Sequence, residues 1–258
     1  MKDIKILCVI LARGGSKAIP SKNIKDIAGN PLIAYTIAEA LKSKYIDRII
    51  VSSDDDDIRK VAIQYGAEAP FSRPPELSGD AAKPVECILH ATKWAEKDGG
   101  VKYDYVVELL CTNPFKTVDD IDNALATQIE TEADSVIAVM PLEDHHPIRI
   151  KKIVDGKIRD FCLPEIPESR RQDLKPQAYI RNGSIYCMRR DMLEKGIRYG
   201  TDNSLAYIMP RERTVNIDEP MDFVIASFLM ETNPRPYVKP LIKEVKLWKK
   251  YINVKIVT

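Results

Sequence analysis

Apolar positions along this chain follow two alternating rhythms. The run Ile4–Ala12, IKILCVILA, has the length of a buried strand. Beyond a glycine-containing loop, Ile33, Ile37, Ala40 and Leu41 recur at i, i+4, i+7 and i+8. That is one face of a helix, with Asn30 as its expected cap and Pro31 at its first position. DRIIVSS (Asp47–Ser53) reads as a second strand. In DDDDIRKVAIQYG (Asp54–Gly66) acidic residues open a helix where its dipole favours them, and Gly66 closes it. The alternation continues with a helix in Lys83–Gly100, a strand in Tyr103–Leu110, a helix capped by Thr117 and a strand in Asp134–Met140. This order predicts an α/β fold, a mostly parallel sheet flanked by helices, whose ligands gather at the carboxyl ends of the strands.

From about Ile148 the pattern changes. IRIKKIVDGKIRDFCL (Ile148–Leu163) carries the Asp-Gly turn of a β-hairpin, followed by a Pro- and Arg-rich stretch and the short strand SIYCM (Ser184–Met188). We read about 148–190 as a small β-rich subdomain inserted into a main domain of residues 1–233. The main fold is expected to resume with ERTVNID (Glu212–Asp218) as a strand and EPMDFVIASFLME (Glu219–Glu231) as a helix. From Pro234 to Thr258 a tail carries seven Lys/Arg against one Glu, and docking of this tail on the domain is its expected role.

Charge adds little at this scale. The 39 basic and 38 acidic side chains among 258 residues nearly cancel, which argues against nucleic acid or an anionic membrane as partner and makes any anion site local. Cys8, Cys87, Cys111, Cys162 and Cys187 are odd in number, widely spaced and without a C-x-x-C pair, as expected of reduced thiols in the cytoplasm. No apolar segment approaches the length of a membrane span.

One local site stands out. VILARGGSKAIPSKNI (Val9–Ile24) follows the first strand directly: Gly14 and Gly15 let backbone N–H groups turn toward an anion, and Arg13, Lys17 and Lys22 add charged donors. Neither the Walker loop G-x-x-x-x-G-K-[ST] nor the dinucleotide fingerprint G-x-G-x-x-G is present. On these residues alone a solvated basic turn is an equal alternative.

The stretch LARGGSKAIPSKNI (Leu11–Ile24) resembles the opening A-R-G-G-S-K-G-I-P-x-K-N-I of the acylneuraminate (CMP-sialic acid synthetase type) cytidylyltransferases. DRIIVSSDD, RPPELSGD, EDHHP, RRQDLKPQAYIRNGSIY and VNIDEPMDF resemble later blocks of that family in the same order, over about Arg13 to Asp222. The resemblance implies a nucleotide-diphospho-sugar transferase-like, Rossmann-like fold. The implied reaction joins CTP to a 2-keto-3-deoxy sugar acid with Mg²⁺ (or Mn²⁺), releasing a CMP-sugar and pyrophosphate, with a homodimer as the working unit. Ala12, Arg13, Gly14, Gly15, Ser16, Lys17, Lys22, Asn23 and Asp80 would then bind the nucleotide. Lys17 and Arg13 would stand closest to the charge that builds during transfer. Asp218, with Asn216 as an uncharged oxygen ligand beside it, would hold the metal, and Asp222 would be structural. Thr112, Asn113, Arg171, Gln172, Asn182 and Tyr186 would meet the sugar acid, although Asn182-Gly183 also reads simply as a hairpin turn.

Two departures bear on the substrate. The family often has D-x-D where this chain has Asn216-x-Asp218. In ELLCTNPFK (Glu108–Lys116), Leu110, Cys111 and Asn113 replace the Gln, Pro and Ser of the sialic acid branch's L-L-Q-P-T-S-P-L-R. Leucine offers a polar sugar arm no hydrogen bond where glutamine offers several, so the acid can differ while the nucleotide half stays intact. Sialic, legionaminic, pseudaminic or a related acid remains open. So do a nucleotidyltransferase with another nucleotide or acid acceptor, and a non-catalytic nucleotide-binding homologue. His145 and His146, adjacent on an extended segment, point opposite ways and are expected to pack rather than share a metal.

Overall fold

The computed structural model describes residues 4–233, apart from 144, 166 and 168. The first strand, β1 (Ile6–Leu11), is buried along almost its whole length. A tiny hairpin, β2 (Asp26–Ile27) and β3 (Asn30–Pro31), leads into α1 (Leu32–Ala40). Then come β4 (Arg48–Ser52), α2 (Asp56–Gln64), α3 (Pro84–Gly99), β5 (Tyr105–Leu109), α4 (Val118–Thr131) and β6 (Ser135–Leu142). A second hairpin, β7 (Lys151–Val154) and β8 (Lys157–Asp160), precedes β9 (Ala178–Arg189), α5 (Arg190–Glu194), β10 (Ser204–Ile208) and α6 (Pro220–Thr232).

Six strands form one sheet in the order β10-β6-β9-β5-β1-β4. β4, β1 and β5 run parallel, β10 runs parallel to β6, and β9 alone is antiparallel to both its neighbours, β5 and β6. The sheet is therefore mixed, with helices on both faces. One face packs Ile33, Ile37, Ile58, Ala62, Ile121 and Leu125 from α1, α2 and α4; the other packs Ile88, Ala91, Ala95 and Leu193 from α3 and α5. A third cluster joins Ile19 and Ile27 of the first loop to Ile217, Ala226 and Met230 around α6.

Several local expectations hold for visible reasons. Asp55 caps α2, its carboxylate accepting from Asp57 N and Ile58 N at 2.8 and 3.0 Å. Thr117 and Asp120 form a reciprocal capping box on α4. Burial alone would raise the Asp120 pKa, but hydrogen bonds from Arg213, the Thr117 backbone and Tyr207 hold it below the usual range. The Asp155-Gly156 turn joins β7 to β8 as expected.

Four expectations need correction. Asn30 lies in β3 and does not cap α1; its side chain donates to Tyr35 Oη at 3.1 Å, and Pro31 takes the cap position. The strand expected in the small subdomain is longer and belongs to the main sheet, so residues 178–189 are central, leaving β7–β8 and its flanks as the projecting part. Asn182-Gly183 is not a hairpin turn. Gly183, at φ +65°, sits inside β9 where its register against β6 slips between Ile137 and Val139, so the turn signal marks a bulge. Residues 212–218 form no strand: Arg211–Arg213 is a short 3₁₀ turn, and the alternation of Val215 and Ile217 reflects packing into the third cluster. The strand there is β10, an edge strand whose half-exposed Ser204–Ile208 carries no apolar alternation. The basic tail Pro234–Thr258 lies outside the described residues.

Candidate active site

The loop after β1 is tied down at both ends. Ala12 is fully buried, and its N–H donates to Ser52 O of the neighbouring β4 at 3.1 Å. Gly14 N donates to Asp54 Oδ1 at 3.1 Å, and a Cβ at Gly14 would stand 2.6 Å from Asp55 Oδ2. Glycine is required there by close approach to the start of α2. Ser16 N closes a tight turn on Gly14 O at 2.9 Å, and Gly15 has open space around it. The acidic run at Asp54–Asp57 thus does more than complement a helix dipole, since Asp54 anchors the loop.

Asn23, buried in a short 3₁₀ turn at Lys22–Ile24, fixes the loop from below. Its Nδ2 donates to Arg13 O at 3.0 Å, and its Oδ1 accepts from Cys111 Sγ at 3.1 Å. Burial pushes the Cys111 thiol up to about 11, against the pull of Lys116 and Lys22, so Cys111 serves as a neutral donor. Lys22 Nζ donates to Ile217 O at 2.7 Å and pairs with Asp218 Oδ1 at 3.1 Å, joining the loop to the segment before α6.

These groups line a cavity of about 660 Å³ at the carboxyl ends of β1 and β5, walled on the far side by residues 73–87. Arg13, Ser16, Lys17, Lys22, Asn23, Asp80, Thr112 and Asp218 all reach it, whereas Ala12, Gly14 and Gly15 form its backbone support. Asp80 does not cap α3, whose N-cap is Lys83. Instead its two oxygens take Lys17 Nζ at 2.6 Å and Arg13 Nη1 at 2.7 Å. Lys17 first, then Arg13, hold the Asp80 carboxyl below the usual carboxylate range. A carboxylate thus stands where two of the loop's cations converge, and an incoming phosphate would compete for the same partners.

Asp218 presents a largely exposed carboxylate at the cavity edge, two residues before α6. Asn216 Nδ2 donates to Asp218 Oδ2, while Asn216 Oδ1 is buried without a hydrogen-bond partner among the described residues. The hard Asp218 carboxylate at the cavity edge fits a Mg²⁺ or Mn²⁺ ion completed by phosphate oxygens and water, whereas Asn216 turns its amide nitrogen to Asp218 and keeps its oxygen buried away from the cavity. Among the described residues no group of three or more His, Cys, Asp or Glu forms a self-sufficient metal cage. Asp222 is structural: Oδ2 accepts from Asp218 N and Glu219 N at 2.9 and 2.8 Å, completing the capping box of α6 with Glu219 as its N-cap.

The expected acceptor residues do not converge. Thr112 lines the cavity, but Asn113 is fully buried behind it with neither amide atom hydrogen-bonded among the described residues. Arg171 and Gln172 lie exposed on a 3₁₀ turn away from the cavity, where Arg171 Nη1 pairs with Glu143 at 2.8 Å. Asn182 is buried in β9, its Oδ1 accepting from Ser184 N. Tyr186 is packed under the Arg198 guanidinium, 3.7 Å from ring centroid to Cζ. Of the two histidines expected to pack, His146 does, with Nε2 2.9 Å from Pro176 O, whereas His145 is exposed.

The sequence reading missed two charged residues in the cavity wall. Arg73 is 5% exposed and pairs with Asp54 at 3.4 Å; it stands first in the block RPPELSGD that contains Asp80. Glu108 is 2% exposed and pairs with Arg198; its signal was a lone acid inside the apolar run YVVELL.

Comparison with known proteins gives the family and the fold. Residues 7–209 match the model of a family described as cytidylyltransferase. The pseudaminic acid cytidylyltransferase of Campylobacter jejuni is 34% identical over 89% of this chain and 98% of its own length. The CMP-N,N'-diacetyllegionaminic acid synthase of Legionella pneumophila is 33% identical over 91% of this chain and 100% of its own. In fold, the chain is similar to a CMP:2-keto-3-deoxy-manno-octonic acid synthetase solved with CTP, at a TM-score of 0.64 and 19% identity, covering 89% of this chain and 99% of that one. With a cationic loop, a cavity at the strand ends and a family match over most of its length, the chain belongs to the cytidylyltransferases.

Proposed function

We propose that this protein transfers CMP from CTP to the anomeric hydroxyl of a nonulosonic or closely related 2-keto-3-deoxy sugar acid, releasing pyrophosphate. The observation that carries the reading is the convergence of Arg13, Lys17, Lys22, Asn23 and Asp218 on one cavity in a cytidylyltransferase chain. The relatives named for pseudaminic and diacetyllegionaminic acids support the acceptor class.

The chemistry needs no protein nucleophile. The sugar hydroxyl oxygen bonds to the α-phosphorus as the bond from that phosphorus to the bridging oxygen breaks; pyrophosphate leaves with the electron pair and the hydroxyl proton passes to water. Positive charge must therefore stand where negative charge builds. Arg13 and Lys17 exchange Asp80 for phosphate oxygens, Lys22 adds positive charge beside Asp218, and Asn23 keeps the loop backbone in place. Asp218, whose carboxylate is held in place by the Asn216 amide nitrogen, would hold Mg²⁺ or Mn²⁺, which when bound screens the phosphate charge.

A homodimer fits the projecting hairpin. Ile153, Ile158 and Phe161 there are 77, 68 and 61% exposed, more apolar surface than an isolated arm keeps in water without cost. A partner seated against this arm, which leads into Arg171 and Gln172, would bring acceptor contacts that one chain does not assemble. Among the described residues no helix is long and apolar enough to cross a membrane. The five free cysteines support a cytoplasmic setting.

The test is incubation with CTP, Mg²⁺ and, separately, pseudaminic, legionaminic, sialic and 3-deoxy-octulosonic acids, following CMP-linked product and pyrophosphate. Product from at least one nonulosonic acid, with UTP, ATP and GTP inactive, is the expected outcome. Turnover confined to another nucleotide, or none with any acid, would overturn the reading.

A further inference from the structure

Glu108 is out of place by ordinary packing rules. It lies in β5, paired in register with Val9 of β1 and Tyr186 of β9, and its strand neighbours Val107 and Leu109 are fully buried. A carboxylate at 2% exposure needs a cation, and Arg198, from the loop between α5 and β10, provides it by contact between Nη2 and Oε2. Arg198 is itself clamped over Tyr186. Burial pushes the Glu108 carboxyl up, and Arg198 opposes that shift. Replacing such a buried pair by apolar groups is often neutral or stabilising, so stability gives no reason for its presence.

Its position gives one. Glu108 lines the same cavity as Lys17 and Lys22, beside Leu110 and Thr112 from the same strand end. Its Oε2 is buried against Arg198 Nη2, so Oε1 is the oxygen left for a ligand. A triphosphate gathers at the cations and is repelled by a carboxylate, and so is the carboxylate of a sugar acid. What remains to meet Glu108 is a neutral N–H or O–H donor. Leu110 offers no polar atom there, so within β5 the carboxylate of Glu108 is the side-chain acceptor that reaches the cavity.

We propose that Glu108, fixed by Arg198, is an acceptor subsite that takes a hydrogen-bond donor, an acylamino N–H or a hydroxyl, from the arm of the sugar acid. This rests on the cytidylyl-transfer reading above. It gives the chain a means of choosing among acids that differs from a neutral amide at position 110, because a carboxylate only accepts and rejects an acid whose matching group cannot donate.

Removing Glu108 alone would strand Arg198 in the interior, so the test pairs Glu108→Gln, which retains shape, with the double variant Glu108→Leu/Arg198→Met, which removes both charges together. Each is assayed with CTP and the best acceptor of the acid panel, and CTP binding with Mg²⁺ is measured by calorimetry. The double variant is expected to raise KM for the acid at least tenfold and leave the CTP Kd within twofold, with Glu108→Gln shifted in the same direction by less. An unchanged acid KM, an equal rise for both substrates, or a gain of UTP use that would place Glu108 at the base, would overturn the subsite and leave cytidylyl transfer standing. A wild-type protein that makes no CMP-linked product from any acid overturns the parent reading, and this inference with it.

Discussion

The loop at residues 12–23 and the segment at 171–186 were both expected to bind substrate, and only the first is assembled within one chain. The loop leaves a buried parallel strand at its carboxyl end, and hydrogen bonds from Ala12, Gly14 and Asn23 fix it to groups nearby. Its cations line the cavity, Arg13 and Lys17 on Asp80 and Lys22 on Asp218. Arg171 and Gln172 come before an antiparallel strand that enters the sheet from the other direction, and they end on the surface beside Glu143. A site half carried by a strand-end loop is set by local geometry; one carried across an inserted arm depends on what the arm packs against.

The sharpest way to break this comparison is to remove Lys22, whose side chain is only 13% exposed and joins the loop to Asp218. Lys22→Ala is expected to lower kcat/KM for CTP by about 10²–10³, the range for losing one preorganised charged donor. Steady-state kinetics, with circular dichroism to show that the fold persists, measures it. If Arg171→Ala costs more than Lys22→Ala in dilute protein, the two halves are ranked wrongly. Next in size is Asp218→Asn, for which the Mg²⁺ concentration giving half-maximal rate should rise about tenfold, one carboxylate among mixed ligands being lost. An unchanged metal titration would remove Asp218 from the site. Arg171→Ala should cost about threefold or less in acid KM at protein concentrations that keep the chain monomeric, and more where light scattering shows dimers, since an exposed Glu143 pair alone contributes little. An equal effect at all concentrations would place Arg171 in its own chain's cavity.

The same contrast explains what was legible in the sequence. Arg13, Lys17, Lys22 and Asn23 sit in one contiguous motif, and the strand before it made their common destination readable. Asp54 and Arg73 reach the same site from two other segments, so their part depends on how β4 lies against β1. Helices α2 and α4 were readable because their caps are local chemistry. β9 was not, because its Asn182-Gly183 bulge carries the residues of a turn and only the partner strands β5 and β6 decide that the chain runs on. β10 was missed for the opposite reason: an edge strand with one neighbour needs no strong pattern. Glu108 was missed because a lone acid in an apolar run has no stated purpose until Arg198, 90 residues later in sequence, is seen to pair with it.

Ion pairs remote from the cavity give the smallest effect and a control for the rest. At Asp191, Arg189 first and then Lys195 hold the carboxyl down to about 2, and no phosphate-gripping group lies among its partners. A carboxylate depressed from an unfolded value of about 3.9 stabilises the fold at neutral pH, and that contribution disappears as pH falls from about 4 through about 2. The side chain is 46% exposed, so screening should keep the effect below about 1 kcal/mol. Asp191→Asn should therefore lower the denaturation midpoint slightly at pH 7, flatten the loss of stability between pH 4 and 2, and leave KM for CTP unchanged. The pair at Asp80 is built from the same kinds of side chain but faces the cavity, so a substrate can take its cations. A change in CTP affinity on replacing Asp191 would mean that charge acts on the site from across the molecule, and the division between a local nucleotide half and a structural remainder would fail.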